Sequence, residues 1–414
     1  FDYGVSSEAG YDMFNAVLSN GTENVAAVSN LSGTKEGTYS TALTAGTWTL
    51  TLKFKKDDAS RGGDDLAYIS NLTLGGVNEA IYQLTGDFLA AQAKDAAPTV
   101  DFTGGEWLVL GLARSGRDVP NADAYYQNVV AYVQEYINSK NRLDRNKSTD
   151  NSRVILALTA IGKDPASVGG YDLVKGLDGM GYISKQGTSG PVWALLALDS
   201  HDYPTYGNVT REALIDKIAD IQMESGAWYI SDTKPDADID MTAMAMQALA
   251  PYYNSSNTAK TAVDKALTWL AGRQNADGSF GDSSETNAQI VVMLCALNRD
   301  PATDSQFAPD GKSPLNALYS YYRSGGSFAH LKGGDHNQMA TEQAYYAMAA
   351  YARFKANQTF LYKMTDVHSD ELHTFTTWTT TTEPNCTQEG TATAACTHEG
   401  CEATATRTIS ALGH

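Results

Sequence analysis

The sequence predicts a multidomain chain in which an all-α double ring of helices, an (α/α)6 toroid, is flanked by small all-β modules. Three observations carry this expectation. Hydrophobicity switches from a period of two to a helical period near residue 77, a helical unit is echoed six times before residue 364, and composition turns Thr-rich and β-forming from about residue 365. The 414 residues leave room for several domains at roughly 150 residues each. Hydrophobic residues make up 42% and charged residues 19%, the mark of a folded chain, and no apolar run approaches the ~18 residues that would predict membrane insertion. Thirty Lys and Arg against 48 Asp and Glu give a net charge of −18, so the basic footprint of a nucleic-acid binder is absent.

Residues 1–76 are rich in Thr, Ser, Asn and Gly. In TWTLTLKFK, Trp48, Leu50, Leu52 and Phe54 alternate with Thr49, Thr51, Lys53 and Lys55, which predicts a half-buried strand. AYISNLTL offers another, and the expectation is a β-sandwich-like domain, whole or partial.

Residues 77–364 carry the helical echo. LARSGRDVP, LTAIGKDP, LALDSHDYP and LCALNRDP share an apolar helix end, a polar pair and a Pro stop, with MAMQALAPYY and YAMAAYARF in the remaining places. Anchored on Gly111, Ala157, Ala197, Ala248, Ala296 and Ala349, the steps run from 40 to 53 residues, the length of a helix pair. One helix type is apolar almost all round, as in VILALTAI, VWALLAL and IVVMLCAL. The other is amphipathic, with faces Leu214, Ile218, Ile221 and Val263, Ala266, Leu267, Leu270. Helices that must be covered on every side, alternating with helices that need one wet face, close as an inner ring within an outer ring.

Residues 365–414 predict a small Cys-containing β module. Cys386, Cys396 and Cys401 cluster there, whereas Cys295 lies alone in an apolar run and reads as a buried structural thiol. The spacing favours a local disulfide between Cys396 and Cys401 in an oxidising compartment; zinc held by the three Cys with His373 or His398 is the alternative.

QMESGAW and QNADGSF place Gln222, Gly226, Trp228 and Gln274, Gly278, Phe280 at one spacing. Both resemble the repeat of squalene–hopene cyclases and their prenyltransferase-like relatives. The resemblance implies the toroid over residues 77 to 362, and implies a stapling role for the motif. The same toroid looks like the cobalamin-binding domain of intrinsic factor and transcobalamin, which implies a corrinoid as a possible ligand at the barrel mouth. It also looks like surface proteins of Gram-positive gut bacteria, and the tail with its terminal ALGH resembles short repeats on such proteins.

The strongest candidate cluster is DADIDMTA, with Asp236, Asp238 and Asp240 before an inner helix and Thr242 in its first turn. It resembles the acid motif of class II terpene cyclases, which implies that Asp240, with Asp238 beside it, is the proton donor of an enzyme; Met241 stands where the family has a third carboxylate. Calcium bound in the EF-hand manner is the second alternative, and Met241 and Gln247 occupy the positions that need Gly and Glu. A helix cap is the third: Asp238 or Asp240 would accept N–H bonds at the positive helix terminus. In GGDHNQMATEQ, Asp335, His336 and Gln338 precede the last inner helix and are expected at the same mouth as Asp240. Glu342 and Gln343 are expected either to face the cavity or to be buried and hydrogen-bonded. His336 has no suitable Cys beside it for a prenyltransferase-type zinc. Trp107, Trp193, Tyr345 and Tyr346 lie on inner helices and are expected to line a cavity for a flat or ring-containing ligand, or to pack in the core. No CGEQ thioester, phosphate loop or Gly-x-Ser-x-Gly elbow occurs.

These features lead to one expectation: a fragment of an extracellular bacterial surface protein, secreted or attached, that binds a ligand at the toroid mouth without catalysis. The ligand is a corrinoid, a glycan or a host-surface polymer, recognised through Asp238, Asp240, Trp107, Trp193, Asp335, His336, Gln338 and Tyr345, with no cofactor and no metal. A class II cyclase-like enzyme and an adhesive spacer without small ligand are the alternatives. The chain begins at Phe1 with neither an initiator Met nor a leader, in keeping with a piece of something longer.

Overall fold

The computed structural model describes residues 1–41, 43, 48–57, 62–70, 77–230, 236–367, 375, 377–396 and 404–412. The chain divides into two compact units, Phe1–Leu84 and Thr85–His414.

Among the described residues of the first unit, six strands form two antiparallel sheets. β1 (Asp2–Ser6) lies between β4 (Thr34–Thr38) and β6 (Leu66–Ser70), and β2 (Met13–Ser19) between β3 (Asn24–Leu31) and β5 (Thr49–Lys55). Alternation puts Val5, Phe14, Ala16 and Val28 in a shared core, against which Tyr3, Leu50, Phe54 and Ile69 pack. The strand predicted in TWTLTLKFK is β5, with Phe54 opposite Phe14 and Leu50 opposite Leu18. Leu52 departs from the expected alternation: β5 is an edge strand, and Leu52 stays 46% exposed.

The helical unit alternates outer and inner helices. The inner ones are α2 (Glu106–Arg114), α4 (Ser148–Ala160), α6 (Ser189–Asp199), α8 (Ile239–Leu249), α10 (Ser284–Ala296) and α12 (Gln338–Lys355). Each packs on the next and α12 returns to α2, so the ring is closed. Nearly every residue of α10 is buried, from Ser284 to Cys295, which is why IVVMLCAL has no wet face. The outer positions are taken by α1 (Val77–Asp95), α3 (Ala122–Tyr136), α5 (Met180–Ile183), α7 (Arg211–Asp220), α9 (Asn257–Ala271) and α11 (Pro314–Tyr319). α7 and α9 bury one face each, Leu214, Ile215, Ile218 and Val263, Ala266, Leu270. The third outer position is a broken run of short turns and four-residue α5, because Gly169, Gly170, Gly176, Gly179, Gly181 and Gly187 crowd that stretch.

The two motifs read as staples act as staples. Gln222 Nε2 donates to the carbonyls of Gly226 and of Ala262 in α9, each at 2.8 Å, and Gln274 Nε2 donates to Gly278 and to Phe307 ahead of α11, at 3.0 and 2.6 Å. Gly226 and Gly278 have φ of +95° and +89°, and a Cβ at either would stand 2.7 or 2.6 Å from the neighbouring backbone of Lys265 or Lys312. The aromatic that follows each turn, Trp228 or Phe280, is fully buried.

One end of the ring is closed by its own chain. Residues 357–367 cross it with Leu361, Tyr362 and Met364 buried, and the Met364 N–H donates to the Ser200 carbonyl at 2.6 Å. Arg114 at the end of α2 holds this segment through Leu361 O, Thr359 Oγ1, Phe360 O, Lys363 O and the Asp366 carboxylate, at 2.8 to 3.3 Å. Arg353 from α12 reaches Thr359 and the same Asp366. The helical packing therefore runs a few residues past the expected boundary at 364.

The tail forms a three-stranded antiparallel sheet, β10 (Gly390–Ala395) between β9 (Thr379–Thr382) and β11 (Thr404–Ile409), as its Thr-rich composition predicts. Cys386 is exposed and Cys396 buried; the disulfide expected between Cys396 and Cys401 falls at Cys401 outside the described residues, as do His373 and His398 of the zinc alternative. Cys295 is buried as expected. No helix among the described residues is long and apolar enough to cross a membrane.

Candidate functional site

The other end of the ring is where all six inner helices begin, because each outer helix carries the chain back before the next inner one starts. Side chains of the first turns meet around it. Glu106 of α2 pairs with Arg153 of α4, Ser189 of α6 lies 3.5 Å from Met241 Sδ of α8, Asp240 of α8 faces the Thr286 hydroxyl of α10, and Glu342 of α12 accepts from Gly104 N ahead of α2. Six helix N-termini give this mouth a positive backbone potential, and the sequence answers it with acids.

Asp238 and Asp240 divide the roles proposed for them. Asp238 is the cap of α8: its carboxylate accepts from Met241 N at 2.7 Å, and its own N–H closes a bridge to the Trp228 carbonyl. Asp240 lies two residues past that cap, within the first turn, and caps nothing. Burial pushes its carboxyl up to about 6; the charges of Asp238 and Glu285 add to this, while the Thr286 hydroxyl and His330 oppose it. Glu285 Oε2 lies 2.9 Å from His330 Nδ1, and the Thr286 hydroxyl is tied to Ser283, the cap of α10, at 2.8 Å. The result is two carboxyls and an imidazole at the mouth, with His330 its more exposed member.

Two further acids sit deeper. Glu106 is fully buried, with Oε2 2.9 Å from Arg153 Nε and no partner for Oε1; burial lifts its carboxyl to about 7 although Arg153 pulls it down. Glu342 Oε1 accepts from Gly104 N and Gln338 Nε2, both at 2.7 Å, while Oε2 has no partner, and burial again lifts the carboxyl to about 7. Gln338, expected at the mouth as a ligand contact, is committed to Glu342 and to a reciprocal amide pair with Gln92 of α1.

The axis below the mouth is occupied by rings and amides. Trp107 lies 5.0 Å from Trp193 and 6.1 Å from Tyr346, and Trp193 lies 5.8 Å from Tyr362 of the sealing segment. Gln247 donates to Gln289, which donates to Gln343 at 2.9 Å and to the Tyr346 hydroxyl at 2.5 Å. Of the cavity lining expected from Trp107, Trp193, Tyr345 and Tyr346, the structure thus gives core packing for three. Tyr345 requires a different correction: it points away from the axis, its hydroxyl donating to Ser115 at 2.9 Å and lying beside Gly86 of α1. Successive residues on a helix differ by about 100°, so Tyr345 and Tyr346 cannot share a face. Asp335 and His336 are exposed, and His336 packs edge-on to Phe88 of α1 at 5.4 Å; neither is brought to Asp240 by any hydrogen bond or ion pair. Among the described residues no group of three or more His, Cys, Asp and Glu is placed to hold a metal ion.

Glu106, Arg153, Glu285 and His330 were not singled out by the sequence. A signal for Glu285 exists: it lies two residues past the cap Ser283, as Asp240 lies two past the cap Asp238. A third turn of the stapling type was equally unmarked. Gly326, Ser327 and Phe328 repeat Gly278, Ser279 and Phe280, with Gly326 at φ +97° and Phe328 fully buried, but with no Gln ahead of them.

No curated protein matches the sequence. Among solved structures, the chain is similar to ent-copalyl diphosphate synthase from Streptomyces platensis at 22% identity and a TM-score of 0.42, covering 59% of this chain and 49% of the synthase. It is similar to a type II terpene cyclase from Scytonema at 12% identity and a TM-score of 0.45, covering 67% and 98%. It is also similar to an alpha-1,6-mannanase from Salegentibacter sp. at 11% identity and a TM-score of 0.42, covering 66% and 99%. The chain thus spans about half the length of the synthase. Residues 180–380, which run from α5 through α12, match the family described as the prenyltransferase alpha-alpha toroid domain. Both staples and the inner helices α6 to α12 of the closed ring fall within that stretch, which has the fold of the prenyltransferase alpha-alpha toroid domain.

Proposed function

We propose that the toroid mouth around Asp240, Glu285 and His330 is a non-enzymatic site that binds a hydroxyl-rich ligand, a glycan or host-surface polymer, on an extracellular bacterial protein. The observation that carries this is the asymmetry of the ring. One end is sealed by residues 357–367, while the other gathers carboxyls and an imidazole at its opening. Carboxylates and imidazole pair well with hydroxyl groups. A corrinoid is the less favoured ligand, since Trp107, Trp193, Tyr346 and Tyr362 already fill the axis beneath the opening. The net charge of −18 and the Cys-bearing tail suit a secreted chain.

A second reading has one observation in its favour. An Asp240 carboxyl pushed up to about 6 is suited to donate a proton, as a class II cyclase acid does. Met241 at the next position supplies no carboxylate, and a polyprenyl chain would need the axis that the aromatic rings occupy. Asp240→Asn against the parent decides between the readings. A glycan and corrinoid panel, turnover of polyprenyl diphosphates and thermal melting are the three measurements. The expected result is weakened glycan binding and no turnover by either protein; cyclisation by the parent alone, lost in a folded variant, establishes the enzyme instead.

A further inference from the structure

A second feature of the same unit lies on its surface beside the second staple. The turn from Asn275 to Asp282, the end of α11 and the loop carrying Leu331 and Lys332 enclose a cleft of about 570 Å³. That size falls in the range of small-molecule sites, about 300–1,000 Å³. Its polar lining is Asn275, Asp277, Ser279, Asp282, Tyr321 and Lys332, and Leu331, 47% exposed, supplies an apolar wall.

Part of this lining is explained by the turn. Asp277 Oδ1 accepts from the N–H and hydroxyl of Ser279 at 3.1 and 2.6 Å, Oδ2 receives Lys332 Nζ at 2.8 Å, and Asn275 Nδ2 donates to Ser279 Oγ and Gly281 O. Two groups are not explained. Tyr321 is 1% exposed, yet among the described residues its hydroxyl has no partner, an arrangement that is unfavourable when nothing compensates it. Asp282 is exposed and makes no ion pair among the described residues.

The mixture of donors and acceptors narrows the ligand. A metal ion is disfavoured because the Lys332 ammonium already neutralises Asp277 and lies 5.6 Å from the Tyr321 ring. An anion would meet Asp277 and Asp282, and an apolar ligand would bury their charges without return. A neutral ring bearing adjacent hydroxyls satisfies every group: it donates to Asp282, accepts from Lys332 and Tyr321, and lays its C–H face on Leu331. We infer that this cleft, which adjoins the toroid mouth where Ser283 pairs with Leu331 but does not include Asp240, is a binding site for a neutral pyranose unit, standing whether or not the mouth binds glycan.

The test is calorimetric titration of the parent, Asp282→Ala, Tyr321→Phe and Asp240→Asn with the methyl α-D-pyranosides of glucose, galactose, mannose and N-acetylglucosamine, and with calcium chloride. Asp282 makes no ion pair among the described residues and Tyr321→Phe keeps the ring while removing an unpartnered buried hydroxyl, so neither variant should melt below the parent. The expected result is one or more pyranosides bound at millimolar strength, at least tenfold weaker in Asp282→Ala and in Tyr321→Phe, and unchanged in Asp240→Asn. Three results would overturn the proposal: none of the four pyranosides binds the parent, binding survives both cleft variants, or calcium binds the parent and is lost with Asp282→Ala. Loss of glycan binding in Asp240→Asn alone speaks for the mouth and against the cleft.

Discussion

Glu342→Gln should stabilise the protein at alkaline pH and leave it nearly unchanged in mild acid. In the folded chain burial holds the Glu342 carboxyl at about 7 against an ordinary value of 4.5. Between those two values the folded state keeps a proton that the unfolded state has released, so stability is full below about 4.5 and is lost as pH rises through 7. A difference of that size corresponds to about 3 kcal/mol at pH 8, at 1.36 kcal/mol per pH unit. The substitution removes the charge but keeps an acceptor at Oε1 for Gly104 N and Gln338 Nε2, and it disturbs nothing at Oε2, which has no partner to lose. Melting curves of parent and variant from pH 5 to pH 8.5 are the assay. At roughly 2 °C per kcal/mol for a unit of this size, the variant should melt about 6 °C higher at pH 8 and within about 2 °C of the parent at pH 5. A melting difference of the same size and sign at both ends would show that the Glu342 carboxyl gives up its proton alike in the folded and unfolded chain, and would refute the reasoning.

Other outcomes follow from single contacts. Gln222→Ala and Gln274→Ala each leave two carbonyls without their amide and should cost about 1–3 kcal/mol apiece in denaturant titrations, close to additively. Gly278→Ala should destabilise well beyond Gly333→Ala. Both positions have positive φ, but only at Gly278 does a new Cβ strike backbone, at Lys312, whereas Gly333 has open space. Under native conditions iodoacetamide should label Cys386 promptly and Cys295 only on unfolding, since Cys295 is buried and burial pushes its thiol up. Arg114→Lys keeps the charge but cannot reproduce the fork that reaches Leu361, Thr359, Phe360, Lys363 and Asp366. Hydrogen exchange should rise across 357–367 before it rises in α8 or α10.

The ring was legible in the sequence because burial on every side leaves inner helices few choices. The anchors Gly111, Ala157, Ala197, Ala248, Ala296 and Ala349 all fall in or at the ends of the six inner helices, and the echo is theirs. Outer elements meet solvent and are free to shorten, which is why the third could dissolve into turns without erasing the period. The staples were legible where Gln, Gly and aromatic occur together, and illegible at Gly326–Phe328, where geometry is kept but the Gln is not. At the candidate site, Asp-x-Asp marked the start of an inner helix and a cap was among the roles expected there. Which aspartate caps depends on where α8 starts, and the structure gives that role to Asp238 and leaves Asp240 to be buried. Glu285 among Ser and Thr carries no pattern of its own, and emerges only when α8 and α10 are aligned on their caps. Tyr345 and Tyr346 show the remaining gap: adjacent aromatics on an apolar helix do not say which one meets the axis.

The two ends of the ring use charge in opposite ways, and this bears on where function resides. At the sealed end Arg114 and Arg353 converge on one carboxylate. Burial works against the charged form of Asp366, yet the two guanidinium groups hold it below the ordinary carboxylate range. That pairing contributes stability above about pH 4 and loses it only on further acidification, so it is a fastening for neutral conditions. At the open end Asp240, Glu106 and Glu342 are all displaced upward by burial, and Arg153, the guanidinium that pairs with one of them, does not reverse the shift at Glu106. Acids arranged in this way weaken the fold as pH rises through neutrality. A ring built for stability alone would pair them as it pairs Asp366 or replace them with apolar residues, and two of the six inner helices instead place an acid two residues past the cap, Asp240 on α8 and Glu285 on α10. The stability forgone at that end is the physical reason to look for the ligand there.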